Sequence, residues 1–157
     1  WDVQKEIDGR MVATSEFNHG DRVCIRFRTP KRGYVAVYLI AENRKVYRLL
    51  PYSNAPDGIY PVTANRDEVF FDKEHDATAK HYSMRTDKTV EFNRFVIIYS
   101  PNSFVKCNDM TGDASHPNRL TETEFSKWLS DCQSMDKDMV KDEKIVKIYN
   151  HEAGLNE

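Results

Sequence analysis

Gly33-Tyr34-Val35-Ala36-Val37-Tyr38-Leu39-Ile40, a short polar turn, and Lys45-Val46-Tyr47-Arg48-Leu49-Leu50-Pro51-Tyr52-Ser53-Asn54 decide the fold of this chain. The first run is short, apolar on both faces and rich in β-branched and aromatic residues, which fits a central strand covered on both sides. The second run stops at Pro51, where the amide donor is lost. Together they read as a β-hairpin.

The same pattern extends outward in both directions. Upstream, Val23, Ile25 and Phe27 alternate with Cys24, Arg26 and Arg28, the period of a half-buried strand, which ends at the turn Thr29-Pro30-Lys31-Arg32-Gly33. Downstream, residues 51–66 contain Pro51, Pro56, Pro61 and Gly58 with several Asn and Asp, the composition of a surface loop. Val69-Phe70-Phe71 and Tyr82-Ser83-Met84-Arg85 read as short strands on either side of a polar connector. Thr89–Ser100 is a stronger strand, mixing Val90, Phe92, Phe95, Val96, Ile97, Ile98 and Tyr99 before Pro101 ends it.

Residues 106–120 lack periodicity and read as a connecting loop. The period then changes. Thr121 and Glu124 form a capping-box pattern, and Phe125, Trp128, Leu129 and Cys132 follow at i, i+3, i+4 and i+7, which predicts an amphipathic helix over 121–133. Met139-Val140 and Ile145–Tyr149 flank a charged segment and predict a terminal strand or hairpin over 138–149. The expected fold is mainly β: a β-sandwich or partly open barrel of about seven to nine strands with one C-terminal amphipathic helix packed on it. No linker or repeat divides residues 1–157, so a single domain is expected.

The totals exclude several function classes. The 157 residues carry 23 basic and 25 acidic side chains, a formal charge of -2, so no global field steers the chain to nucleic acid or to an anionic membrane. Cys24, Cys107 and Cys132 are odd in number and lack ligand spacing, which argues against a zinc site or a disulfide framework. No apolar run approaches the roughly 20 residues that span a bilayer. The chain opens on Trp1 rather than methionine, as expected of a processed product or a piece of a longer protein.

Four motifs occur in order: Phe17-x-x-Gly20-Asp21, Gly33-Tyr34-Val35-x-Val37, Val46-x-x-Leu49-x-Pro51-x-x-Asn54 and Ile97-Ile98-Tyr99-Ser100-Pro101. Across residues 15–105 this pattern resembles the bacterial domain of unknown function family 4384. The extension with Glu124-Phe125-x-x-Trp128-Leu129 and Asp136-x-x-Met139 looks like the tail of Bacteroidetes members. Two departures stand out: Phe92-Asn93-Arg94 replaces the glycine-x-glutamate expected before the last strand, and Asn65–Lys80 resembles an insertion. The resemblance implies an exported, periplasmic or cell-envelope protein of which this is the C-terminal part. It supplies no catalytic residues and implies a non-enzymatic module for binding a protein partner or for assembly.

His19, His75, His81, His116 and His151 include one near-cluster, His75-Asp76 with His81, but none has zincin spacing, and loop histidines are the expectation. Cys107 beside Lys106 is the one cysteine placed for nucleophilic chemistry, with an unreactive thiol as its plainer reading. Asp109, Gly112 and Asp113 are a fragment of a calcium loop without its distal glutamate. No glycine-rich phosphate cradle is present. Neither a cofactor nor a metal is therefore expected. Tyr52, Tyr60 and Tyr82 are the candidate contacts for a ligand or partner. Tyr52 and Tyr60 lie in the proline-rich loop, where exposed tyrosines give contact area at low entropy cost, and their plainer role is a packed lid over the sheet. In the alternative, Tyr52, Tyr60 or Tyr82 stacks on sugar rings. Residues 51–66 and 72–81 are the expected contact surfaces.

Overall fold

The computed structural model describes residues 1–52, 59–103 and 121–152. Among them are eleven strands and one helix. The fold class is mainly β, as the sequence predicts: two open sheets, neither closed into a barrel, and a single helix, the composition of a β-sandwich with one packed helix. Four of the strands have only two or three residues.

The deciding stretch forms β5 (Gly33–Ile40) and β6 (Val46–Leu50). They pair antiparallel from Ile40↔Val46 to Tyr38↔Arg48, and a bulge then brings Leu50 opposite Val37. Arg44 closes the turn in the left-handed region (φ 68), and the Asn43 side chain accepts the Lys45 amide at 3.0 Å. Asn is suited to such turns because its side chain satisfies nearby backbone.

Upstream lie β1 (Asp2–Ile7), β2 (Arg10–Ala13), β3 (Glu16–Asn18) and β4 (Arg22–Phe27). The β1–β2 hairpin turns through Asp8 and Gly9, both at positive φ, the aspartate-glycine chemistry of a two-residue turn. After β6 come β7 (Pro61–Val62), β8 (Glu68–Phe70), β9 (Tyr82–Ser83) and β10 (Val90–Ser100). The helix α1 (Glu122–Met135) and β11 (Val140–Tyr149) complete the chain. Hydrogen-bonded orders are β2-β1-β4-β8 with β9 on β4, and β3-β11-β10-β5-β6 with β7 on β5. No helix of the described residues is long and apolar enough to cross a membrane.

The chain divides into two compact units: Trp1–Arg28 with Asp67–Arg94 and Lys144–Glu157, and Thr29–Arg66 with Phe95–Glu143. Each is stitched from separate segments, so no linker composition marks the boundary. In the first unit β4 lies between β1 on one side and β8 and β9 on the other. That position buries Cys24 as well as Val23, Ile25 and Phe27, leaving Arg26 as the exposed side chain of the strand.

In the second unit α1 buries Phe125, Leu129 and Cys132 against Ala36, Tyr38, Ile40, Val46, Val96, Ile98 and Met139. Each large apolar side chain so placed contributes about 2 kcal/mol. Thr121 is the N-cap: its hydroxyl accepts the Glu124 amide at 3.2 Å and lies 3.2 Å from the Glu124 carboxylate. The cap is anchored to the β5–β6 turn, since Thr121 bridges Lys45 and the Glu122 amide donates to the Arg44 carbonyl at 3.0 Å. Thr121→Ala is expected to lower stability by about 1 kcal/mol, read as a lower urea midpoint at unchanged slope.

One expectation changes: the helix runs to Met135 rather than 133. Of the two forms expected for the terminal segment, the strand is present, running without a turn through its largely solvated charged stretch. β3 pairs in parallel with its last three residues, Ile148 opposite Phe17. The connecting loop expected over 106–120 lies outside the described residues.

Candidate functional site

The second unit holds a groove of about 460 Å³ where the turn before β5, β7 and the end of β10 meet. Its construction starts at Thr29. The Thr29 side chain is buried, and its hydroxyl lies 3.1 Å from the Lys31 carbonyl and 3.4 Å from the Lys31 amide. The Asn65 amide donates to the Thr29 carbonyl at 2.7 Å. From β10 the Tyr99 hydroxyl donates to the Lys31 carbonyl at 2.7 Å, with the Arg32 carbonyl at 3.3 Å. The turn is thus pinned from two sides.

Gly33 permits this. A Cβ there would stand 2.7 Å from a Tyr99 ring carbon and closer still to the Ser100 carbonyl oxygen, nearer than real Cβ atoms come. The floor of the groove is the pairing of Gly33 with Val62 and of Tyr34 with Pro61, continued by the Val35 amide donating to the Tyr60 carbonyl at 3.0 Å. Pro101, Arg32 and Thr63 complete the lining. Pro101 is held by its neighbours: Ser100 Oγ and Asn102 Nδ2 donate to the two carboxylate oxygens of Asp136, the residue that ends α1, and Asn102 also reaches Asp138 at 3.2 Å.

Burial opposes ionisation of Asp136, but the hydrogen bonds from Ser100, Asn102 and the Asp138 amide outweigh it and hold the carboxyl below its ordinary range. A carboxyl whose folded pKa is depressed contributes stability above its unfolded value of about 3.9 and loses it as pH falls through the folded value. The stability gap between the native chain and Asp136→Asn is therefore expected to narrow below about pH 4, checked by urea unfolding across pH 2–6.

Among the residues that line the groove, Arg32 is the one with a charged side chain, while the carboxylates of Asp136 and Asp138 lie behind Pro101 on Ser100 and Asn102. Lys31 and Arg32 are exposed, and neither has an ion pair with a described carboxylate. Tyr34 is half-buried, while Pro61 and Thr63 are exposed.

The tyrosines named from sequence are placed differently. Tyr52 is 2% exposed and meets Tyr60 edge-on at 5.8 Å, while Tyr60 is half-buried. Tyr82 is buried with its ring edge-on to Phe71 at 5.0 Å. Tyr52 and Tyr82 therefore do not meet the expectation of exposed contacts, because each ring is taken into aromatic packing. They belong to different units. Of the 51–66 segment, residues 53–58 lie outside the described residues, and Pro61, Val62 and Thr63 line the groove.

Other candidates resolve into structural pairs. Within the 72–81 connector, His75 Nε2 lies 2.8 Å from the carboxylate of the buried Glu68. His81 Nε2 faces Arg22 at 3.3 Å and accepts the Lys73 amide at 3.4 Å. Desolvation, with Arg22 and Lys73 nearby, lowers its pKa. No three metal-ligating side chains converge among the described residues. Burial pushes the Cys24 thiol up to about 11, which keeps it from being a nucleophile. Arg26 and Arg28 share Asp67 in a surface ion pair at 2.8 and 3.3 Å, and their hydrogen bonds lower its pKa. Cys107, Asp109, Gly112, Asp113 and His116 lie outside the described residues.

Sequence reading missed Arg32, Tyr34 and Pro101 as site residues. The available signal was a Lys31-Arg32 pair bracketed by Pro30 and Gly33 at a strand boundary. It also missed an exposed row in the first unit, where Val90, Phe92 and Ile145 are 38%, 48% and 63% exposed and the Lys147 ammonium lies 5.3 Å from the Phe92 ring centre.

In comparisons with known proteins, no protein-family model, curated protein or solved structure matches this chain.

Proposed function

We propose that this chain is a non-enzymatic recognition module that holds a segment of a partner protein in the groove between the Thr29–Gly33 turn, β7 and Pro101. The observation that carries the reading is the clamp of Tyr99 on the carbonyls of Lys31 and Arg32, which fixes the groove wall before any partner arrives. Walls already held by hydrogen bonds lose little entropy on binding, so modest contact area yields useful affinity. The apolar shelf of Tyr34, Pro61 and Pro101 with polar groups at the mouth is the mix that recognition sites use. An exported, cell-envelope setting belongs to the same proposal and rests on the family resemblance alone.

Selection of displayed random octapeptides on the immobilised chain tests this. Enriched peptides are expected to lose binding to Thr63→Trp, which fills the groove mouth from an exposed position. Absence of enrichment, or peptides that bind the filled variant equally well, overturns the proposal.

A further inference from the structure

The geometry points to an acidic, extended peptide as the occupant of this groove, with Arg32 as the anchor for its carboxylates. The inference rests on the recognition reading above and adds the chemistry of the partner. Charge complementarity carries it. Arg32 lines the groove and Lys31 precedes it in the pinned turn, and neither is ion-paired to a described carboxylate. By contrast the nearby-in-sequence Arg26 and Arg28 are already engaged with Asp67.

The clamp that rigidifies the groove uses the backbone carbonyls of Lys31 and Arg32 and leaves their side chains out of it. A guanidinium offers a planar fork of donors matched to a carboxylate, and one projecting from a fixed backbone needs little ordering to use it. Tyr34, Pro61 and Pro101 line the groove with Arg32 and supply the apolar ring surface. Successive side chains of an extended peptide point to opposite sides, so acids at every second position would face the Arg32 rim together.

The test uses three fluorescein-labelled octapeptides that alternate valine with glutamate, glutamine or lysine, titrated into the full chain by fluorescence anisotropy. The glutamate peptide is expected to bind about fivefold tighter than the glutamine peptide, the scale of one exposed charge pair, and to lose that margin as salt rises from 50 mM to about 1 M. The lysine peptide is expected to bind weakest. Arg32→Glu, a change at an exposed side chain outside the clamp, is expected to reverse the order at an unchanged melting temperature.

Equal binding of the glutamate and glutamine peptides, or an order that Arg32→Glu leaves intact, overturns the acidic-partner inference while the groove still recognises peptide. Failure of all three peptides, together with no enrichment from the random selection, overturns the groove reading itself.

Discussion

Gly33→Ala is expected to lower stability by about 3 kcal/mol, the upper part of the range for inserting a methyl into a filled site. For a chain of this size that is a fall in melting temperature of about 6–12 °C. The added Cβ would meet the Ser100 carbonyl, which is backbone and cannot swing away, and the Tyr99 ring at 2.7 Å, whose hydroxyl is committed to Lys31. Relief requires β5 to move from β10 or the clamp to open, and either one also loosens the groove.

Gly9→Ala provides the contrast. Nothing lies within 4 Å of a Cβ there, but φ is +80, so its cost is backbone strain of about 1 kcal/mol. Differential scanning calorimetry of both variants separates the two causes. Equal melting temperatures would contradict the close approach at Gly33.

Phe125→Ala is expected to cost about 4 kcal/mol, because it removes a side chain that is 2% exposed and leaves a cavity under the helix. The ring meets Tyr38 at 4.7 Å and Trp128 at 5.6 Å between centroids, so aromatic contacts are lost with the buried area. Ser126→Ala, one position along and exposed, is expected to stay within about 0.5 kcal/mol. Urea unfolding followed by tryptophan fluorescence checks both. A loss below about 1 kcal/mol for Phe125→Ala would mean that α1 is not docked on β5 and β10 through this residue.

The elements legible in the sequence are those whose signal is local and periodic. The β5–β6 hairpin, β10 and α1 all announce themselves within a dozen residues, and the Thr121–Glu124 cap fixes where the helix begins. Even there the reciprocal half differs, since the Glu124 carboxylate meets the Thr121 hydroxyl. The β1–β2 hairpin had an equally local signal in Asp8-Gly9 that composition alone passed over.

Other features are invisible to pattern. β3 and β7 are two or three residues long, too short for a period, and β3 exists because Phe17 finds Ile148 at the far end of the chain. Tyr52 and Tyr82 sit in polar surroundings along the sequence, yet aromatic neighbours distant from them or across the loop bury them. The groove is the extreme case. Arg32, Thr63 and Pro101 are joined only by strand pairing and by the hydroxyl of Tyr99, and no spacing along the chain marks them as one site.

Amide chemical-shift mapping of the isotope-labelled chain during titration with the valine-glutamate octapeptide tests the central claim most directly. Saturable shifts are expected at Lys31, Arg32, Gly33, Tyr34, Val62, Thr63 and Asn102, the amides in and beside the groove. Saturable shifts centred elsewhere, for instance on Phe92 and Ile145, or no shifts in a chain that binds neither this peptide nor any selected one, would contradict it.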